Sequence, residues 1–245
     1  MVTLDDIVWA ALNYRDSGDL HTVGAGDQAY VKILKQQDFL EKLRDCPGDL
    51  RVEEIRNILV KFLNRWGCRL RNYDNVTASG LQGCLVRTHP ELSDLQKYSI
   101  FDFSLENVEM TEEVERVFTG FWHCGSGSAA AGNFGPTATS KLLHIINPDF
   151  FPLWDESIRI AYWKEDDRIV ESGRGYSIFM DQLRKMAEGL RAECEGKFGT
   201  LDPARLISER LKIDPPHSIL KFIDEFNWVT YKLGVQRPKG WRSPF

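Results

Sequence analysis

The chain has 245 residues, 42% of them hydrophobic and 27% charged, with a formal net charge of −5. Such a chain can bury a substantial core as one large domain or two intimate lobes. No apolar run approaches the ~20 residues needed to span a bilayer, and Met1-Val2-Thr3-Leu4-Asp5-Asp6 lacks the basic-then-apolar order of a signal peptide. A soluble protein in the cytoplasm, with no membrane partner, is expected. The cysteines, Cys46, Cys68, Cys84, Cys124 and Cys194, are odd in number, scattered and without a CxxC pair. They read as reduced thiols and not as a disulfide frame, a zinc site or an iron–sulfur site, so no metal and no cofactor is expected.

Taken in chain order, the periodicity is helical almost throughout. Helices are predicted at 4–14 and 29–43, with a Gly-rich loop at 18–26 between them. Val52, Ile55, Ile58, Leu59, Phe62, Leu63 and Trp66 form the clearest apolar stripe, at spacings of three and four, ended by Gly67. The polar stretch 72–83 reads as a loop, and 83–88 is a weak strand pattern. Further helices are predicted at 111–122, 136–146 and 156–162, with a Gly/Ser-rich loop at 125–135. A second stripe runs through Tyr176, Phe179, Leu183, Met186 and Leu190 to Gly196, and a helix is predicted at 203–211. The last helix follows Pro215-Pro216, with Ile219, Leu220, Phe222, Ile223 and Phe226 inside and Gly234 closing it. No repeat of fixed period and no low-complexity segment interrupts this pattern. The fold class is all-α.

Charge is unevenly spread. Acidic residues concentrate at 106–115 and 165–167, while Arg237-Pro238-Lys239-Gly240-Trp241-Arg242 is basic and carries an aromatic. The negative total weighs against nucleic acid, because duplex binding is driven by neutralising phosphates. The basic tail reads either as a backbone contact or, more commonly for such a segment, as a frayed and solvated terminus.

The most informative stretch is Gly132-Asn133-Phe134-Gly135-Pro136-Thr137-Ala138-Thr139-Ser140-Lys141, followed by a helical run and then Phe151-Pro152-Leu153-Trp154-Asp155-Glu156-Ser157-Ile158-Arg159. Two glycines three apart allow a tight turn with exposed N–H groups, and the helix near Pro136 adds the positive end of its dipole, so the turn can hold a phosphate. Asp155 follows 18 positions after Thr137, beside Trp154. Taken alone it reads as an N-cap for the helix at 156–162. That role is compatible with catalysis, because capping bonds keep a carboxylate ionised and fixed.

This arrangement resembles the helix-hairpin-helix DNA glycosylases, whose hairpin reads roughly Leu-Pro-Gly-Val-Gly-x-Lys-Thr-Ala and whose catalytic aspartate opens a later helix within Val-Asp-Thr-His-Val. About thirty residues carry the likeness. Gly132-Asn133-Phe134-Gly135 stands where the family has Gly-Val-Gly, the Leu-Pro lead-in is absent, and Thr137 occupies the place of the nucleophilic lysine of the bifunctional members. The resemblance implies a two-lobed helical bundle with an interlobe cleft, its lobes approximately 1–30 plus 130–245 and 31–129. It also implies a DNA-binding hairpin at Gly132, Asn133, Gly135, Thr137 and Thr139, and Asp155 as the catalytic residue. Lys141, one helical turn after Thr137, is a secondary catalytic or phosphate-contact candidate. Trp122, His123, Phe134 and Trp154 are candidates to stack on an extruded base, each with the alternative of an ordinary core aromatic.

The activity so implied is hydrolysis of the N-glycosidic bond of a flipped base, monofunctional and by a monomer. Asn147-Pro148-Asp149-Phe150-Phe151-Pro152 is similar to the lead-in of a divergent, largely bacterial group, some of which look like phage-defence enzymes that excise modified cytosines such as glucosylated hydroxymethylcytosine. The partner expected on that basis is DNA carrying modified bases. Base-excision repair of oxidised or alkylated bases is one alternative; a non-catalytic helical DNA-binding or interaction protein is another. His144 sits within an apolar run and reads as a satisfied core residue. His123-Cys124-Gly125-Ser126 lacks the setting of a nucleophile, and Gly125-Ser126-Gly127-Ser128 has no Gly-Lys-Ser/Thr and is no P-loop.

Overall fold

A computed structural model describes residues 2–16, 21–68, 70, 75–124 and 134–241, and among these there is no strand. Helix α1 (Leu4–Asp16) opens on a reciprocal cap in which Asp6 accepts from the Thr3 N–H and hydroxyl. It is followed by α2 (His21–Leu34) and α3 (Gln37–Asp45). The first apolar stripe forms α4 (Val52–Glu54), π-helical turns over Ile55–Val60, and α5 (Lys61–Arg65) in one continuous rod. Then come α6 (Asn75–Leu95), α7 (Val108–Trp122), α8 (Gly135–Ile146) and α9 (Glu156–Glu165). The long α10 (Gly173–Phe198) is followed by α11 (Pro203–Leu211) and α12 (Ile219–Asn227), which runs on through π-helical turns at Trp228–Lys232. Side-chain N-caps from Asn107, Asp155, Ser172, Asp202 and Ser218 fix where the later helices start.

Helix α7 packs against α6, α8 and α10, while α1 packs on α12 and α2 on α5. One apolar cluster runs through all of them. Its centre is aromatic: Phe118 stacks on Tyr176 at 4.2 Å, and Trp154 lies against Tyr176 and Phe179. The entry to α10 is glycine because of close approach. A Cβ at Gly175 would fall 1.9 Å from the Val170 carbonyl oxygen, and one at Gly173 would fall 2.8 Å from that of Glu115.

Several expectations are corrected. Residues 83–88 are not a strand, and most of 72–83 is not a loop, because α6 takes both. Ala78, Leu81, Leu85, Leu92 and Leu95 recur at helical spacing and are all buried, which outweighs the glycines at 80 and 83. The loop at 18–26 yields from His21 onward to α2, and the single helix at 29–43 is broken at Lys35 and Gln36 into α2 and α3. The reduced-thiol reading fails for two cysteines: Cys84 on α6 and Cys124 just past α7 form a disulfide with a Cα separation of 6.0 Å. Forty positions apart in sequence, they meet only because α6 and α7 pack together. The C-terminal basic segment is docked as far as Trp241. The Arg237 guanidinium bonds Asp6 at 2.7 Å and the Trp241 carbonyl at 2.9 Å, so it is spent on the protein's own first helix. No described helix is long and apolar enough to cross a membrane.

Candidate functional site around Asp155

The connection from α8 to α9 is held by side chains of α8. The Ser140 hydroxyl accepts from the Trp154 N–H at 3.0 Å and donates to the Thr137 carbonyl at 3.1 Å. His144, wholly buried, donates from Nδ1 to the Phe151 carbonyl at 2.8 Å. Its Nε2 therefore accepts from the Tyr30 hydroxyl, 3.1 Å away. Burial pushes the His144 pKa down to about 3, so the ring is neutral as well as satisfied. Asn147 donates to the carbonyls of Leu95, Gln96 and Tyr98, tying the start of the connection to the end of α6. A loop anchored at both ends delivers Asp155 to a fixed place.

There the Asp155 Oδ1 accepts from the Ile158 N–H at 3.0 Å as the N-cap of α9, and Oδ2 lies 3.7 Å from the Lys232 Nζ. Its side chain is 16% exposed, so the carboxylate is sheltered yet reachable. Asp224 of α12 is close enough for Asp155 to raise its pKa; burial is the larger cause of that rise, and Lys221 and Lys141 offset it in part.

Behind Asp224 lies an interior charge network. Lys221 is wholly buried, with Nζ 3.3 Å from Asp224 and 3.4 Å from Glu225, over the ring of Tyr14. Burial alone would strip its proton, but Tyr14, Glu225, Asp224 and Asp27 hold it as an ammonium and its pKa is raised. Glu225 also accepts from Arg15 at 3.1 Å and faces His217 at 3.2 Å. Burial would raise the Glu225 pKa, but the cations around it win and hold it down. Each buried charge thus has an opposite neighbour, as charges in a low-dielectric interior require.

The other residues singled out in the sequence are only partly brought together. Gly132 and Asn133 lie outside the described residues. Gly135 has a left-handed φ of 73° just before Pro136, a conformation suited to glycine. Thr137 accepts at 3.1 Å from Arg159, a buried guanidinium of α9 that also bonds Glu171, so this hydroxyl is already engaged. Thr139 is wholly buried and cannot touch a DNA backbone through its side chain; the helix turns it inward. Trp154 is likewise fully buried between Phe118, Tyr176 and Phe179, and Phe134 is buried in the core, so neither is a surface on which a base can stack. Trp122 is half-buried, and His123, exposed, stacks on it at 5.5 Å with nearly parallel rings. Lys141 donates to the Trp66 carbonyl at the end of α5 and lies over that indole ring, so its amine is committed there. The charged groups shown near Asp155, namely Lys232 and Asp224, sit in a segment that the sequence marks mainly by its apolar spacing. The available signal was a Lys and an Asp-Glu pair interrupting that apolar run.

Arranged in this way, the site offers a fixed, partly exposed carboxylate with one cation, Lys232, beside it. No family model, no curated protein and no solved structure matches the chain.

Proposed function

We propose that the protein is a DNA glycosylase that hydrolyses the N-glycosidic bond of a flipped, modified base, with Asp155 as its catalytic carboxylate. The observation that carries this reading is the setting of Asp155: one oxygen spent on the α9 cap, the other without a hydrogen bond among the described residues and loosely paired with Lys232 in a side chain that is partly exposed, on a loop that α8 pins at Ser140 and His144. As the base departs, the sugar becomes oxocarbenium-like. A carboxylate held in place stabilises that charge and orients or deprotonates the attacking water. Its counter-ion Lys232 is half-exposed and 3.7 Å away, a loose and solvent-screened pairing that leaves the oxygen available.

On this reading α7 and α8 are the arms of the DNA-binding hairpin, the interlobe cleft opens at Asp155, and the substrate is modified cytosine in phage DNA. The reaction is monofunctional, because Thr137 cannot form an imine and the Lys141 ammonium is bonded to Trp66. The family likeness of the Gly135–Thr137 and Trp154–Ile158 segments supports the activity, and the departures in the hairpin favour the defence substrate over housekeeping repair.

The test is base release, measured by mass spectrometry on DNA with natural modified cytosines, damaged DNA and plain DNA, for wild type and Asp155→Asn. Asparagine caps a helix as well as aspartate does, so the fold is kept while the charge is removed. Release by wild type that falls by about 10²–10⁴-fold in the variant establishes the chemistry. The second reading, a DNA-binding protein that uses Asp155 only as a cap, is favoured by the 3.0 Å bond to Ile158 and predicts binding with no release from any substrate.

A further inference from the structure

A second site lies between α2 and α5. It is a cleft of about 240 Å³ with Lys32, Lys61 and Arg65 on its rim and Ile33, Ile58 and Phe62 in its floor. Among the described residues no acidic one lines it. Among the described residues none of the three cations has an ion-pair partner, whereas Arg168, Arg184, Lys197 and Arg205 all do. Three uncompensated cations around one cleft, in a chain of net charge −5, create a local positive potential that an anion relieves. The wall is built partly by the π-helical turns of Ile55–Val60, which set Asn57 and Ile58 into the cleft. Such turns are frequent at functional sites.

We infer that this cleft binds a sugar–phosphate unit, the phosphate on Lys32, Lys61 and Arg65 and the apolar face of the sugar on Ile33, Ile58 and Phe62. The volume is below the ~300–1,000 Å³ of pockets that enclose a drug-sized ligand, so one sugar–phosphate fits and an attached base projects outward. The unit is a residue of a DNA strand or a free phosphate monoester. The position favours the strand: Arg65 is followed by Trp66, whose carbonyl holds Lys141 on the helix that leads to Asp155. Lys141 thus ties the end of α5, which carries Lys61 and Arg65, to the helix that leads to the proposed catalytic carboxylate. The strand form rests on the DNA-binding part of the function proposed above and not on its chemistry.

The experiment compares wild type with the triple variant Lys32→Glu, Lys61→Glu, Arg65→Glu. A control variant, Lys97→Glu, Lys164→Glu, Lys212→Glu, changes net charge equally at exposed positions elsewhere. Binding of a fluorescent oligonucleotide is followed by anisotropy at several salt concentrations, with circular dichroism melts to verify folding. In parallel, inorganic phosphate and deoxyribose 5-phosphate are titrated into isotopically labelled wild-type protein. For the strand form, the cleft variant binds at least about tenfold more weakly than the control, with a salt slope shallower by about two. For the free-monoester form, the three proteins bind the oligonucleotide alike and deoxyribose 5-phosphate shifts the amides of 29–36 and 57–65. The inference is overturned if neither occurs in a folded cleft variant. An intact cleft effect without base release removes the enzyme and leaves the cleft; base release unaffected by the cleft variant, with no monoester shifts, does the reverse.

Discussion

The interior of α12 and the cleft between α2 and α5 both set lysines against apolar side chains, but they solve opposite problems. Lys221 has lost all contact with water and sits between Asp224, Glu225 and two tyrosine rings. Lys61 keeps its water, has no ion-pair partner among the described residues and rims a cleft. A charge taken out of water must be matched at once by an opposite charge, so the α12 network is closed and structural. A charge left in water needs no partner to be stable, so the three cleft cations stay free to meet an anion from outside.

The comparison breaks first at Lys221. Lys221→Met leaves Asp224 and Glu225 buried beside one another without their shared cation, and stability is expected to fall by about 3–5 kcal/mol. In a chain of this size that is roughly 6–20 °C in the melting temperature by circular dichroism. An unchanged melting temperature would mean that the network is not closed as described. The Cys84–Cys124 bridge, which ties α6 to α7 near the aromatic core, comes next. It closes a loop of 40 residues, so its reduction is expected to remove about 4 kcal/mol on chain-entropy grounds, read as a lower denaturant midpoint with reductant. Peptide mapping without reductant should recover the two cysteines linked.

His144 sharpens the same point for a neutral group. Its pKa is about 3 in the folded protein and about 6.5 in an unfolded chain, so between those values the unfolded state binds more protons and stability falls as the pH drops. The contribution is about 1.4 kcal/mol per pH unit within that window and absent above it. His144→Gln should flatten the melting temperature against pH between about 4 and 6.5 relative to wild type; parallel curves would place the titration elsewhere. The smallest effect is at the cleft. Lys61→Met, the same exchange as at Lys221, should move the melting temperature by less than about 2 °C, because exposed substitutions without a partner to lose rarely matter to folding. A large drop would show that the cleft cations are structural after all.

The helices were legible wherever an apolar stripe and a cap agreed. The stripe from Val52 to Trp66 and those near Tyr176 and Ile219 all appear as helices, because their face against the core is written at 3.6-residue spacing. The segment that became α6 was not, because its polar and glycine residues read as a loop over 72–83 and as a weak strand over 83–88, and only burial against α7 outweighs them. For the site, Asp155 was recognisable from its local sequence, and its capping role follows from the residues just after it. The burial of Trp154, Phe134 and Thr139 was not, since an aromatic or a threonine has the same letter in a pocket as in a core.

What the amino-acid order by itself determined was local: helical periodicity, and at Asp155 a cap whose carboxylate opens α9. Those depend on neighbours within about one or two turns, which the chain always carries with it. What only the tertiary structure decided was which distant groups meet. It joined Cys84 to Cys124, Lys232 to Asp155 and Arg15 to Glu225, and it set Lys32 across a cleft from Lys61 and Arg65. Pairings of that kind depend on how apolar faces pack, and no spacing along the chain encodes them.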